Sequence, residues 1–374
     1  VTRLLIVDDS ALIRRLFGDL FAAEPDFEVA FARDGVEALA MLSSFAPDVV
    51  TLDIQMPKMD GITCLDRIMV ERPCPVVMVS SLTEEGAEAT LEAIALGAVD
   101  FIPKPGGAIS LEMDEFGPAL VDTVRAASRA RLRRTRRLAE RVRLRTGAVA
   151  AALPLPRAAP AAPAAVIPLP APLGSPVDGV VLVGTSTGGP PALDALLGPL
   201  PADFPWPILV AQHMPQTFTG PLARRLDRLC ALTVQEVTRP MPIVPGHVYI
   251  GRGDADIIVG LRPGGPVVLA APASAEHRWH PSVDRLVRTA MAFLGAPRLI
   301  GVLMTGMGND GAAAMTQLAA GGGRTIAEAE ETAVVWGMPG ELVRAGGAQA
   351  VIPLDRIAAQ LLQWLPPQPL PPAS

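Results

Sequence analysis

Short apolar runs that end on an acid, a hydroxyl or a histidine recur along this chain, with amphipathic runs between them. Leu4-Leu5-Ile6-Val7 leads into Asp8-Asp9, Val49-Val50-Thr51-Leu52 into Asp53, and Val76-Val77-Met78-Val79 into Ser80-Ser81. Amphipathic stretches fill about 11–24, 35–45 and 60–71, and Ala98–Ile102 reads as a further strand closed by Pro103-Lys104-Pro105. The pattern returns later. Val180–Val183 leads into Gly184-Thr185-Ser186-Thr187-Gly188-Gly189, Ile208–Ala211 into Gln212-His213-Met214-Pro215, and Leu299–Thr305 into Gly306-Met307-Gly308-Asn309-Asp310-Gly311. Strands alternating with helices build parallel sheets covered on both faces, and such sheets bind ligands beyond their strand C-termini. The polar residues just named all fall there.

At 374 residues the chain exceeds one typical domain. Residues 148–176 hold eleven alanines and eight prolines, a composition that cannot pack a core and reads as a semi-extended linker between two domains. A helix expected from about Asp114 to Arg145 precedes it, with ten arginines from Arg125 to Arg145. Residues 118–176 carry a net +9 in a chain of net −6, so the remainder is strongly acidic. No recognition-helix pattern or interleaved aromatic accompanies the arginines, so a solvated or acid-pairing face is the preferred reading over a nucleic-acid contact. Cys64, Cys74 and Cys230 give neither a disulfide framework nor ligand spacing. No apolar run reaches membrane-spanning length and no signal-like segment opens the chain, so a cytoplasmic location is expected.

Three strand ends carry candidate chemistry in the second half. Gly184-x-Ser186-x-Gly188 fits a nucleophile elbow, although a phosphate cradle or a plain βα turn has the same look. Serine needs a base, which His213 suits, and Asp310 would orient the imidazole and stabilise its cation. Of the other histidines, His247 and His277 read as turn or surface residues, and His280 is kept as a residue that would line the cleft. The order Ser, His, Asp differs from the α/β-hydrolase order, so the elbow alone does not place the chain there. In the first half, Asp8, Asp9 and Asp53 would repel one another at one rim unless a cation neutralised them, and oxygen-only ligands favour Mg²⁺. Val248–Ile250 and Val267–Leu269 are expected to pair as a hairpin around Pro263-Gly264-Gly265. Val334–Val335 and Ala350–Ile352 are expected as short elements, and the proline-rich end as disordered.

Asp8-Asp9, Asp53 followed by Met56-Pro57 and Asp60-Gly61, Ser80, and Lys104-Pro105 resemble the two-component receiver domain over about residues 1–125. The resemblance implies a flavodoxin-like fold with a five-stranded parallel sheet. It also implies phosphorylation of Asp53 by a histidine kinase, with Mg²⁺ held by Asp8, Asp9, Asp53 and the Gln55 carbonyl. Lys104 would pair with the phosphoryl group, Ser80 would swing toward it, and Phe101 would change rotamer.

From about residue 177 to 364, the Gly184–Gly189, Gln212–Pro215, His280–Asp284 and Thr305–Gly311 motifs resemble the catalytic domain of the chemotaxis receptor methylesterases. The resemblance implies a doubly wound α/β domain with a mainly parallel sheet, and a serine esterase acting on glutamate γ-methyl esters and glutamines of methyl-accepting chemoreceptors. Ser186 would be the nucleophile, His213 the base, Asp310 the orienting acid, and N–H groups at Thr187 and Met307 the oxyanion hole. No cofactor is expected in this domain. Residues 126–176 would be the tether and 365–374 a proline-rich tail. The enzyme is expected to be a monomer that reaches membranes only through receptors and binds no nucleic acid. The family's proline-glycine turn and following histidine are replaced here by Gly251-Arg252-Gly253-Asp254-Ala255-Asp256. The competing reading is a response regulator that binds receptors or nucleic acid without hydrolysing anything.

Overall fold

The computed structural model describes residues 1–81, 83–104, 109–130 and 178–365. The first part alternates β1 (Thr2–Val7), α1 (Ala11–Ala22), β2 (Phe27–Ala32), α2 (Gly35–Ser44), β3 (Val49–Asp53), α3 (Gly61–Glu71), β4 (Val76–Ser80), α4 (Glu84–Leu96), β5 (Asp100–Pro103) and α5 (Ile109–Ser128). Its five strands form one parallel sheet in the order β2-β1-β3-β4-β5. Every residue of β3 and β4 is buried, as expected of central strands covered by helices on both faces. Ser10, Asp34, Asp60 and Thr83 each accept a hydrogen bond from a first-turn amide, which starts α1 to α4 close behind the loops that leave the sheet.

The second part continues with β6 (Val180–Thr185), α6 (Gly189–Leu197), β7 (Ile208–Gln212), α7 (Gln216–Leu229), β8 (Thr233–Val237), β9 (Met241–Pro242), β10 (His247–Gly251), β11 (Ala255–Arg262) and β12 (Gly265–Pro272). There follow α8 (Val283–Leu294), β13 (Leu299–Leu303), α9 (Ala312–Ala320), β14 (Arg324–Glu328), α10 (Met338–Arg344), β15 (Ala350–Ile352) and α11 (Leu354–Trp364). Seven strands make a parallel sheet in the order β15-β14-β13-β6-β7-β10-β8, and β11, β12 and β9 make a small antiparallel sheet. Large apolar clusters line both faces of the seven-stranded sheet.

Several expectations change. The hairpin around Pro263-Gly264 joins β11 to β12, whereas Val248–Ile250 lies in the main sheet between β7 and β8. That segment is buried throughout, which suits a central strand better than a hairpin arm. Val334–Val335 forms no strand, and β2, β8 and β14 were not anticipated as separate strands. The helix expected from Asp114 begins at Ile109 and reaches Ser128. The arginines from Arg131 onward, the Ala/Pro-rich stretch and the proline-rich end lie outside the described residues. All three cysteines are free, and burial pushes the Cys64 and Cys74 thiols up to about 12. No helix among the described residues is long and apolar enough to cross a membrane.

The two sheets meet through α4, β5 and α5 of the first part. Ala87 and Leu91 of α4 join the apolar cluster that holds Phe218 and Leu222 of α7, and the rings of Phe101 and Phe218 stack with centroids 4.3 Å apart. Glu88 and Asp122 reach Arg224 and Arg278 across the boundary, each at 3.6 Å.

Candidate active site and phosphoacceptor site

Strands β13, β6 and β7 are adjacent and parallel, so their C-termini share one rim. The chain runs outward from β6 on one side, then returns to lay down β13, β14 and β15 on the other. The reversal beside β6 is where doubly wound sheets open a crevice. Ser186, His213 and Asp310 follow these three strands, and the structure brings them together there.

The turn carrying Ser186 is tightly specified. Gly188 has φ +76°, and a Cβ on Gly189 would lie 1.9 Å from Gln212 Oε1, so neither position accepts a side chain without rearrangement. Ser186 N donates to Thr305 O at 3.0 Å, and Gln212 Nε2 donates to Ser186 O at 3.1 Å and His213 O at 2.9 Å. Thr305 Oγ1 donates to Thr187 O at 2.8 Å. The backbone around the serine is therefore fastened while its hydroxyl is left without a hydrogen-bond partner among the described residues.

His213 Nε2 lies 2.9 Å from Asp310 Oδ2, and Nδ1 is buried with no partner. The Trp279 ring lies parallel to the imidazole with centroids 6.0 Å apart. Asp310 also accepts from Val283 N (2.7 Å), Asp284 N (3.0 Å) and Ser282 Oγ (3.2 Å), so the start of α8 is aimed at its carboxylate. Burial alone would raise the Asp310 carboxyl, but these donors and His213 hold it below the ordinary carboxylate range. Ser186, Thr187, His213, Trp279 and Met307 line one cavity of about 610 Å³. Among the described residues the N–H groups of Thr187 and Met307 have no acceptor, so both are free to face an anion. Ser186 Oγ and His213 are not hydrogen-bonded to each other, as is common before substrate tightens such a pair. His280 does not line this cavity; its Nδ1 is 2.9 Å from Asp256 Oδ1.

The first part of the chain supplies the opposite wall of this cavity, through Asp100, Phe101, Pro103 and Asp122 among others. Thr187 Oγ1 donates a short hydrogen bond to Asp100 Oδ2. Asp100 keeps some surface exposure, yet the mass of both domains surrounds its carboxyl, and that burial pushes it up to about 6. Opening the boundary would return the carboxyl toward its ordinary 3.8, so closure takes up a proton between those values. Closure is accordingly favoured as pH falls through that window and weakened as pH rises above it. The ratio of unstimulated rates, Asp100→Asn over the unaltered protein, is expected to rise as pH is lowered from neutrality toward about 5. A ratio that stays flat contradicts the contact.

At the C-termini of β1 and β3, carboxylate oxygens of Asp8, Asp9 and Asp53 lie within 4.8 Å of one another. Lys104 Nζ is 2.8 Å from Asp53 Oδ2 and 3.0 Å from Asp8 Oδ2. Burial raises the Asp53 carboxyl above its ordinary value despite Lys104, and the Lys104 ammonium, though burial opposes it, is held charged by Asp53 and Asp8. One lysine for three acids leaves an uncompensated excess of negative oxygen donors, and this fits a hard divalent cation such as Mg²⁺. Gln55 N donates to Asp53 Oδ1 at 3.4 Å, which puts Gln55 beside the cluster. Ser80 Oγ donates to Gly86 O at 3.2 Å, turned toward α4.

Sequence reasoning quoted the His280–Asp284 motif, Thr305 and the strand holding Asp100 without finding their roles, and it passed over Trp279. Their function depends on partners far along the chain, which no local pattern announces.

A profile of the CheB methylesterase family matches residues 181–361, and one of the response regulator receiver domain matches residues 4–113. Protein-glutamate methylesterase/protein-glutamine glutaminase 2 of Rhodopseudomonas palustris strain BisB18 is 59% identical over 364 residues, which cover 97% of this chain and 98% of that protein. A Rhodospirillum rubrum protein named as the corresponding enzyme 3 is 53% identical, over 98% of this chain and 96% of its own length. A Vibrio cholerae protein of the same name is 42% identical over 91% of this chain and 90% of its own. Agreement of this extent spans both sheets and their order, and the chain belongs to the CheB methylesterase family.

Proposed function

We propose that this chain hydrolyses glutamate γ-methyl esters, and deamidates glutamines, on the cytoplasmic helices of chemoreceptors, under control of phosphorylation at Asp53. The observation that supports the chemistry is the pairing of His213 Nε2 with the buried Asp310, which leaves Nδ1 without a partner in a residue that lines the same cavity as Ser186. Ser186 Oγ attacks the ester carbonyl as His213 Nδ1 takes its proton. The N–H groups of Thr187 and Met307 bind the resulting oxyanion, and Asp310 offsets the imidazolium charge. The intermediate collapses by returning the proton to the departing methoxy oxygen, which frees methanol and leaves an acyl-serine. Water then attacks, gives its proton to His213, and the glutamate carboxylate and Ser186 are regenerated. A glutamine follows the same course with ammonia as the leaving group.

In the receiver, which a histidine kinase would supply with phosphate, Asp8, Asp9, Asp53 and the Gln55 carbonyl would hold Mg²⁺. When bound, the ion neutralises charge on the phosphoryl group in transfer. Lys104 pairs with the phosphoryl oxygens on Asp53, and Ser80 leaves Gly86 O to donate to them. Phe101, on the neighbouring strand end, then gives up its stack on Phe218, and the wall over Ser186 loosens. The segment 126–176 acts as the tether between domains 1–125 and 177–364.

Mass spectrometry of a methylated receptor cytoplasmic fragment tests the substrate class. Incubation with the protein, Mg²⁺ and a small phosphodonor is expected to convert methyl-glutamates, and a subset of glutamines, to glutamate. A fragment whose residues all keep their mass overturns the reading.

A further inference from the structure

We infer that Asp256 is a positioning residue for the hydrolysis, holding the start of α8 so that it presents its donors to Asp310; this rests on the esterase reading above. Asp256 begins the β11 arm of the hairpin and is fully buried. Its Oδ1 accepts from His280 Nδ1 (2.9 Å) and Ser282 N (2.8 Å), and its Oδ2 from Arg285 Nη1 (2.6 Å) and Ser274 N (3.3 Å). Arg285 Nη1 also donates to Pro272 O at 2.7 Å, which ties the helix back to the far arm of the hairpin.

Three of the four donors to Asp256, from His280, Ser282 and Arg285, belong to the same turn. Ser282 is the N-cap of α8, and its hydroxyl both accepts from Arg285 N at 3.3 Å and donates to Asp310. Val283 and Asp284, the next two residues, give their amides to the two oxygens of Asp310. One helix start is thus held between two buried carboxylates, with Asp256 on the hairpin side and Asp310 on the rim side. The Ser282 amide goes to the first, and its hydroxyl goes to the second. A shift of this turn moves three of the four donors on Asp310 at once, and with them the orientation of the imidazole held at Nε2. Such an orienter changes the rate of proton transfer without touching the surface that a receptor helix would contact. Asp256 stays charged below the ordinary carboxylate range because His280, the Ser282 amide and Arg285 outweigh its burial. The charge is what makes it a strong acceptor for four donors.

The test is steady-state hydrolysis by the full chain with phosphodonor, comparing Asp256→Asn with the unaltered protein. The expected result is a fall in kcat of about ten- to a hundredfold with KM changed less than about twofold, since the loss lies in positioning and not in substrate contact. Arg285→Gln, which removes only the charged strap on Oδ2, is expected to show the same split with a smaller loss, and it carries the test if Asp256→Asn does not fold. Unaltered kcat in a folded Asp256→Asn, or in Arg285→Gln where the first does not fold, overturns the inference. So does a loss that falls on KM with kcat kept. Failure of the esterase reading looks different, because the unaltered protein itself would then hydrolyse nothing.

Discussion

Replacing Ser186 by alanine is expected to lower kcat for methyl-ester hydrolysis by about a million-fold, the scale of loss when the nucleophile of a serine triad is removed. Its hydroxyl makes no hydrogen bond among the described residues, whereas its backbone N–H and C=O are fixed by Thr305 and Gln212. The variant should therefore keep the turn, the cavity and the stability of the unaltered protein within about 0.5 kcal/mol. A folded, receptor-binding protein that releases no methanol separates catalysis from binding. Hydrolysis that persists in Ser186→Ala would transfer the chemistry to another group.

Asp53→Ala is expected to leave the unstimulated rate in place and to abolish the response to phosphodonor. The expected size of that response follows from what closes the cavity. Stacking of Phe101 on Phe218 contributes about 0.5–1.5 kcal/mol beyond the area it covers. The hydrogen bond from Thr187 to Asp100 offsets only part of what burying that carboxylate costs, so it is not counted as a closing contribution. Losing the stack shifts the balance of open and closed forms by about two- to tenfold, before the apolar area it uncovers is added. Activation of that order is within reach of a local change beside Lys104, with no refolding of either domain. A phosphodonor response that survives Asp53→Ala would remove the phosphoacceptor assignment, and the rate can be followed by methanol release.

Much of this site was legible because a buried parallel strand is an apolar run, and the first polar residue after it must lie on the rim. Asp53 is such a residue, Ser186 and His213 each stand one place beyond one, after Thr185 and Gln212, and Asp310 follows at the end of a glycine-rich turn. The elbow glycines were equally readable, since Gly188 and Gly189 occupy places where a side chain would strain the turn or collide with Gln212. The pairing of strands was not. Val248–Ile250 and Val267–Leu269 are similar β-formers, and only the packing decides that one joins the large sheet and the other the hairpin. β8 and β14 were missed because each begins exposed and carries polar residues, in Thr233–Val237 and Arg324–Glu328. Asp256 looked like an acid in a loop, and its burial depends on His280, Ser282 and Arg285, more than twenty residues away. Asp100 depends on Thr187 in the other domain, a contact that no local pattern encodes.

The most direct test is methanol release from methylated receptor membranes, with Mg²⁺, before and after a small phosphodonor is added, run in parallel for the unaltered protein, Ser186→Ala and Asp53→Ala. The account predicts slow release that accelerates with phosphodonor in the unaltered protein, slow release without acceleration in Asp53→Ala, and none in Ser186→Ala. Release at one unchanging rate in the unaltered protein, although Asp53 becomes phosphorylated, would contradict it.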